Sequence, residues 1–534
     1  MTRLKYRIPV RIRHYWKLLA TCATVALTLV VVFSTVRVAP LVTSSSDNDG
    51  DQITQDITGT KDLFDATVAH SIKLTFRDDA YERLLDSFWK DGEKEFLEAD
   101  LTIDGTTVAS VGIRLKGNST LSGLTRNGES NPNGFGGAGR GRDTGRDGGA
   151  QGGGFPAGGF PGAGAQGGGL PGGGGFGGMS SLKAEEPETL PWLIRFDEFV
   201  EGRRYQGHRE IAVRVAGMGG GSTVLNEAVS LDVLAAAGET AQRYAYSSFT
   251  VNDRPTTARL VVEHPDENFA DDIDGKGVLY KSLATSEFTD QGDDQTDYAD
   301  DFKQINKKGS QDLQPVIDLV KWVNNASDAE FGAHLGDHVD VQAFARYVAV
   351  QNLLLNSDDM AGPGKNYYLW YDLRTKKFTV VGWDYNLTLS GNAEQDPNET
   401  VSMFGGGGGF PGGMQLPEGM QLPDGMQLPD GIQPPAGMQG QGPGGDGGFG
   451  GGNKLKDRFL ASAAYKSVYQ KAYRELYQKI YAGGTAANSL DAITRVLSTV
   501  GGYDKDATAT EAGKLRTLIT QRSAYLASTE VIKG

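Results

Sequence analysis

The sequence has a single cysteine, few histidines and a deficit of basic residues. Cys22 lies within an apolar segment, so no intramolecular disulfide can form and the core must supply the stability. Six histidines without an H-E-x-x-H pattern give a zinc hydrolase no ligand set, and no G-x-S-x-G marks a serine hydrolase. The net charge of -15 argues against nucleic acid as a partner, because phosphate backbones are bound by a surplus of Lys and Arg.

Glycine, by contrast, is abundant, with 75 residues of which more than half fall in two tracts, 131–179 and 404–453. Both tracts have too few apolar residues to form a core, so we expect disordered insertions within a folded domain. The second tract contains a six-residue repeat, MQLPEG or MQLPDG, at 414–431. Because each unit holds Pro and Gly, the repeat is typical of a flexible spacer, and its methionines could contact a surface partner.

The N-terminal residues predict a membrane anchor. Residues 1–17 form a basic tail without acidic residues, and 18–36 follow without a charge, a length that spans a bilayer. We expect an uncleaved signal anchor with a cytoplasmic N-terminus, a linker over 37–60 and an exported remainder. A cleaved signal peptide is the alternative. The expected location is therefore the cell membrane, single-pass, with the main domain extracytoplasmic.

A predicted hairpin at 367–371 and 378–381 brings polar residues from its two flanks together. Asp358 and Asn366 lie in the loop before the hairpin, and Asp384 follows its second strand. Carboxylate and amide oxygens are the ligands that Mg²⁺ accepts while it also binds phosphates. The alternative interpretation is that these residues only form turns.

Three basic residues lie at predicted strand ends. A hairpin signal at Asp104-Gly105 gives strands over 98–103 and 107–114, which lead to Arg114 and Lys116. Basic side chains beside a Gly-Asn-Ser turn could approach phosphate, although a solvated strand end is the alternative. Lys281 ends a short apolar strand at 278–281, from which an extended side chain could reach a nucleotide phosphate.

Apolar spacing predicts several helices, among them 225–237, 316–323, 459–481, 490–497 and 514–531. A helix at 341–355, with Asp340 as its N-cap, leads directly into Asn356 and would position the loop that holds Asp358. The acidic stretch 290–301 lacks the spacing of an EF-hand and is expected to be a solvated loop.

Five dispersed motifs give the chain a resemblance to the spore coat protein H (CotH) kinase family, over roughly residues 60–480. The motifs are RLKGNST at 114–120, IRFD at 194–197, GKGVLYK at 275–281, NSD at 356–358 with KNYY at 365–368, and WDYN at 383–386. The resemblance implies an α+β, atypical two-lobed protein-kinase-like fold over 61–500, followed by a C-terminal helix within 501–534.

The same resemblance implies ATP and Mg²⁺ or Mn²⁺ as cofactors and a protein Ser or Thr hydroxyl as acceptor. Asp358 matches the catalytic aspartate, with Asp359 as a rival, and Asn366 and Asp384 match the metal ligands. The implied nucleotide-binding residues are Lys281, Arg114, Lys116 and Glu263, where Glu263 or alternatively Glu227 would pair with Lys281.

The chain departs from ordinary kinases in having no H-R-D, a step of eight residues from Asp358 to Asn366, and WDYN in place of D-F-G. An inactive, kinase-like scaffold for cell-surface or coat assembly is therefore the second hypothesis. The exported location favours it, because ATP is scarce outside the cytoplasm.

Overall fold

A computed structural model of the chain describes residues 53–117, 120–132, 182–215, 223–273, 276–401 and 452–534. The predicted tail and signal anchor, most of the linker and nearly all of both glycine-rich tracts lie outside these residues. Within the described ranges, no helix combines the length and apolar character needed to cross a membrane.

The strands form one closed barrel, one four-stranded sheet and two small ribbons. In chain order they are β1 Gln55–Ile57, β2 His70–Thr75, β3 Leu97–Ile103, β4 Thr106–Leu115, β5 Thr125–Arg126, β6 Glu129–Ser130, β7 Trp192–Arg195, β8 Arg203–Tyr205, β9 Glu210–Val213, β10 Tyr244–Val251, β11 Thr257–Glu263, β12 Gly277–Ser282, β13 Phe302–Gln304, β14 Tyr367–Asp372 and β15 Phe378–Gly382.

The helices occur mainly after the barrel strands. They are α1 Asp78–Asp91, α2 Leu225–Ala237, α3 Glu267–Ile273, α4 Gln314–Asn325, α5 Asp328–His338, α6 Val341–Leu353, α7 Lys454–Ala461, α8 Lys466–Tyr477, α9 Thr485–Leu497, α10 Lys505–Ser528 and α11 Glu530–Lys533. Short 3₁₀ turns lie at Thr120–Gly123, Pro187–Thr189, Gln295–Tyr298 and Tyr385–Leu387, and a π-helical turn lies at Gln478–Ala482.

The barrel has the strand order β10-β11-β9-β7-β4-β3-β2 and is closed by parallel pairing of β2 with β10. Alternation along β2 buries His70, Ile72 and Leu74 and exposes the residues between them, as expected for strands with one face on a core. The interior is filled by apolar side chains from the strands, including Trp192 and Phe249, and α1 packs against it.

The second sheet has the order β13-β12-β14-β15, with antiparallel pairing throughout. Its apolar side chains share one core with α2, α4, α6 and the helices after residue 452. In α6, whose N-cap is Asp340, Phe344, Ala345 and Val348 are buried, so the helix is fixed on the same core as the sheet. The loop between α6 and β14 is thereby anchored at both ends.

The α+β class predicted from the sequence is confirmed, as are both predicted hairpins, α2 and the Asp340 cap. Other predictions were wrong in their bounds. The helix predicted at 459–481 is divided into α7, α8 and a π-helical turn, and the helix predicted at 514–531 begins at Lys505. We did not predict α5, although Ser327 and Glu330 form a capping box at its start.

Candidate active site

The loop after α6 holds Asp358 in a fixed geometry. Its Oδ1 accepts the backbone N–H of Gly364 at 2.5 Å, and its Oδ2 accepts Nδ2 of Asn366 at 2.8 Å. A Cβ at Gly362 or Gly364 would come within 2.4 Å of Asp358, so only glycine allows this close approach. The structure thus brings Asp358 and Asn366, two predicted site residues, into direct contact.

Burial raises the pKa of Asp358 to about 7, despite the Gly364 hydrogen bond, and the nearby Asp384 and Asp359 charges add to the increase. A carboxyl group with a pKa near neutrality can accept a proton from a hydroxyl and release it again. Asp358 therefore has the properties of a general base.

Asp359, the rival of Asp358, has a different environment. Its Oδ2 forms a buried ion pair with Nζ of Lys456 on α7, and its Oδ1 accepts the N–H of Ala361 at 2.8 Å. Both charged side chains are almost inaccessible to solvent. Through this ion pair, Asp359 holds the loop against α7.

Asp384 follows β15 in a left-handed conformation, with φ of 58°, and one arginine bridges it to a helix. The guanidinium of Arg214 contacts both carboxylate oxygens of Asp384, with Nη1 at 3.3 Å from Oδ2, and Nε donates to Glu227 at 2.8 Å. Burial opposes ionisation of Asp384, but Arg214, Lys116 and Lys281 hold its pKa below the ordinary value. Asp384 is accordingly charged at neutral pH.

The sequence analysis did not identify Arg214. It directly follows β9, and Glu227 lies thirteen positions later on α2. A basic residue at a strand end before a helix glutamate is the pattern by which ordinary kinases pair their nucleotide-binding lysine. The sequence contains this pattern, but we had predicted Lys281 as the basic residue that pairs with the helix glutamate.

The expected glutamate partner of Lys281 is corrected by the structure. Glu227 pairs with Arg214, while Glu263 accepts the backbone N–H of Arg243 at 3.0 Å and Nη2 of Arg243 at 3.1 Å. His208 lies 3.6 Å from the same carboxylate. Both glutamates therefore pair with arginine, and neither forms an ion pair with Lys281.

Four cations lie within electrostatic range of one another, and two of them, Lys116 and Lys281, also act on Asp384. They are Arg114, Lys116, Lys281 and Lys303, which we name the cleft cations. None forms an ion pair with another described residue. Aromatic rings lie beside three of them instead. Arg114 is 5.3 Å from the Phe96 ring centroid, Lys116 is 5.0 Å from that of Trp383, and Lys281 is 5.9 Å from that of Tyr368.

The charges of the cleft cations repel one another. Burial lowers the pKa of Lys116 to about 7, with Arg214 and Lys281 adding to the decrease. Burial and the charge of Lys303 lower the pKa of Lys281 to about 8. In a protein with a net charge of -15, such a concentration of unneutralised cations indicates a binding site for an anion.

Comparison with known proteins identifies the family. The family described as CotH kinase protein matches residues 177–533, about two thirds of the chain. The chain belongs to the CotH kinase family. Comparison with curated proteins found no match.

In this CotH kinase family member, the residues that could hold a divalent cation are Asp384, Asn366 and Asn386. The last two differ in environment, because Asn366 already contacts Asp358 while Asn386 lines the same cleft as Asp384, Lys116 and Arg214. Among the described residues there is no group of three His, Cys, Asp or Glu side chains placed to bind a metal. A carboxylate with amide oxygens fits Mg²⁺ or Mn²⁺, which complete their shell with water and phosphate.

Residues of helix α2 hold two parts of the cleft in place. Nδ2 of Asn226 donates to the carbonyl oxygen of Asn386 at 2.7 Å and to that of Thr388 at 3.1 Å. The next residue, Glu227, holds Arg214. The first turn of α2 therefore orients both the segment after Asp384 and the arginine that contacts it.

Proposed function

We propose that this protein is an ATP-dependent phosphotransferase with a two-lobed, kinase-like arrangement, which transfers the γ-phosphoryl group to a Ser or Thr hydroxyl of a protein. The observation that supports this most strongly is the convergence of Asp384, Arg214 and Lys116 on one cleft, with Lys281 close enough to act on the Asp384 charge and the Asp358–Asn366 pair nearby. The phosphate groups of a nucleoside triphosphate would provide these cations with negatively charged partners.

In the proposed reaction, Lys116, Lys281 and Arg214 neutralise the phosphate oxygens, and Asp384 and Asn366 would hold the divalent cation. A bound cation would supply positive charge to offset that of the phosphate groups. Asp358 accepts the proton of the acceptor hydroxyl. The hydroxyl oxygen forms a bond to the γ-phosphorus as the bond to the β,γ-bridging oxygen breaks, and ADP leaves with that electron pair. Positioning and charge neutralisation supply most of the acceleration.

We further propose that the enzyme is anchored in the cell membrane by residues 18–36 and acts outside the cytoplasm on a surface or coat protein. The basic tail and the uncharged segment after it support this orientation. The glycine- and methionine-rich tracts are then available to surface partners.

An inactive scaffold is the second candidate, and one contact favours it. Arg214 contacts both carboxylate oxygens of Asp384, the group that would hold the cation. Catalysis requires Arg214 to yield at least one of these oxygens to the metal. In a scaffold, the Glu227–Arg214–Asp384 bridge would remain closed and join α2 to the second sheet permanently.

The decisive experiment uses the full-length protein in detergent with γ-labelled ATP, Mg²⁺ or Mn²⁺ and a generic protein acceptor. We expect nucleotide binding and label transfer to Ser or Thr, both dependent on the divalent cation. Asp384→Asn should abolish transfer, whereas the matched control Asp337→Asn, on the exposed surface of α5, should behave as wild type. Absence of nucleotide binding, together with no self-labelling, would support the scaffold.

A further inference from the structure

Two lysines of the second sheet lie directly opposite each other. In the antiparallel pairing of β12 with β13, Lys281 is the partner of Lys303. Directly opposed residues share one face of a sheet, and neighbouring strands are about 4.8 Å apart. The two side chains therefore leave the sheet on the same side, close enough to contact a single small anion together.

Like charges that are directly opposite on a sheet destabilise it. Glu210 offsets part of this repulsion, but it forms no ion pair with either lysine and lies instead 3.1 Å from His264 Nδ1 and 3.9 Å from Arg195 Nε. Lys303 is the exposed residue of β13, and its pKa is lowered by the surrounding protein atoms and by the charge of Lys308. Burial and the charge of Lys303 lower the pKa of Lys281. The ligand-free protein thus contains a repulsive pair that an anion would stabilise.

The lysine pair is continuous with the cleft. On its other side Lys281 is opposite Tyr368, and the Tyr368 ring packs edge-on against Trp383 at 6.2 Å. Trp383 in turn carries Lys116 over its ring and directly precedes Asp384. A row of side chains therefore connects Lys303 to Asp384, and a chain of phosphate groups could follow it.

We propose that Lys303 is a phosphate-binding residue that, with Lys281, holds one phosphate group of the nucleoside triphosphate. The inference rests on the proposed function, which assigns ATP to the cleft. It adds a residue that belongs to none of the five sequence motifs. It also explains why two cations are retained in direct opposition.

The first test measures the affinity of the full-length protein for Mg-ATP, AMP and inorganic tripolyphosphate by calorimetry. Lys303→Gln should weaken ATP and tripolyphosphate about tenfold, as for the loss of one charge-assisted bond, and should leave AMP within about threefold. The matched control is Lys276→Gln, an exposed lysine just before the other end of β12, which should change none of the three affinities.

The second test measures melting temperature with and without Mg-ATP. Without nucleotide, Lys303→Gln should melt at or above the wild-type temperature, and Lys303→Glu higher still because it can pair with Lys281. With nucleotide, both variants should gain less than wild type. A variant that merely misfolds would melt lower in both conditions, which separates damage to the fold from loss of the phosphate contact.

The outcomes distinguish the two proposals. If wild type binds Mg-ATP and Lys303→Gln binds it as tightly as Lys276→Gln does, the assignment of Lys303 is wrong and the proposed function stands. If wild type binds tripolyphosphate but not ATP, the pair is a general anion site and the nucleotide assignment fails. If wild type binds neither ligand, the proposed function fails as well.

Discussion

Basic residues are concentrated in two regions of this protein, which differ in whether the basic side chains form ion pairs with carboxylates. Beside the barrel, Arg195, Arg204 and Arg209 surround Asp197, with N–O distances of 2.8, 3.0 and 2.7 Å, and Arg209 also bonds to Glu267. We name this group the paired cluster. The cleft cations, by contrast, form no ion pair with a carboxylate in the part of the chain that the structure describes, and three of them lie beside aromatic rings.

The difference distinguishes basic residues that stabilise the fold from basic residues that can bind a ligand. Arginines that surround a buried carboxylate neutralise its charge and are neutralised by it, so these groups need no ligand. Cations without an ion-pair partner at a cleft carry a desolvation cost that an incoming anion can offset. Arg214 lies at the border between the two kinds, because it is paired with Glu227 and Asp384 and yet lines the cleft.

The largest effect on stability should follow from removing the charge of Arg214. Arg214→Met leaves Glu227 and Asp384 buried near each other without the ion pairs that they share, so the free energy of unfolding should fall by about 3–5 kcal/mol. Urea titration of the full-length protein measures it. Arg516→Met, which breaks an ion pair with Asp491 that is half exposed, should cost under about 1 kcal/mol. Equal costs for both variants would contradict the central role of Arg214.

A second variant should separate chemistry from binding within the cleft. Asp358→Asn removes the proton acceptor while nearly keeping the side-chain shape, so the transfer rate should fall at least about 100-fold. The affinity for Mg-ATP should stay within about threefold, since Asp358 contacts the acceptor hydroxyl. Single-turnover transfer and calorimetry measure the two quantities. Retention of full activity would shift the proton acceptor to another group.

The comparison of the two basic regions can be tested directly with one variant from each. Lys281→Met should weaken Mg-ATP about tenfold by removing a phosphate contact, with little loss of stability. Arg209→Met should lower stability by about 1–3 kcal/mol and leave nucleotide affinity unchanged, because its charge is used by Asp197 and Glu267. The distinction between the regions is lost if Arg209→Met weakens ATP as much as Lys281→Met does.

The smallest expected effect is a proton uptake on binding. The pKa of Lys116 is lowered to about 7 and that of Lys281 to about 8, so at pH 8 both lysines are partly neutral. A bound phosphate favours their charged forms and raises both pKa values. Binding at pH 8 should therefore take up a fraction of a proton, and affinity should fall as the pH rises above about 8.

Calorimetry in buffers of different ionisation enthalpy measures this uptake. Lys116→Met should remove a large part of it, whereas Lys276→Met, at an exposed position outside the cleft, should leave it unchanged. Proton release instead of uptake would show that the lysines are already charged in the free protein.

Much of the local structure was predictable because its signals are local. The hairpin around Asp104-Gly105, α2 with its apolar residues and the Asp340 cap depend on residues a few positions apart. The contact between Asp358 and Asn366 belongs to the same class, since eight residues and two close glycines determine it. The division of 459–481 was not predictable, because a continuous apolar period does not reveal where a helix is interrupted.

Charge pairing, in contrast, was predicted incorrectly. Glu263, or alternatively Glu227, was expected as the partner of Lys281, yet Arg243 and Arg214 pair with these glutamates. Arg214 is 170 residues from Asp384, and the opposition of Lys281 and Lys303 depends on the strand order and register of the four-stranded antiparallel sheet. Sequence spacing contains no information on such distances.

By itself, the sequence determined the α+β class, the strands and helices with strong periodicity, and the residue types that can bind a cation or accept a proton. Only the tertiary structure decided which carboxylate each arginine neutralises and which cations stay unpaired around Asp384. The physical reason is one of range. Hydrogen-bonded turns and apolar periods are set by neighbours along the chain, whereas the state of a buried charge is set by whatever the fold brings within a few ångströms.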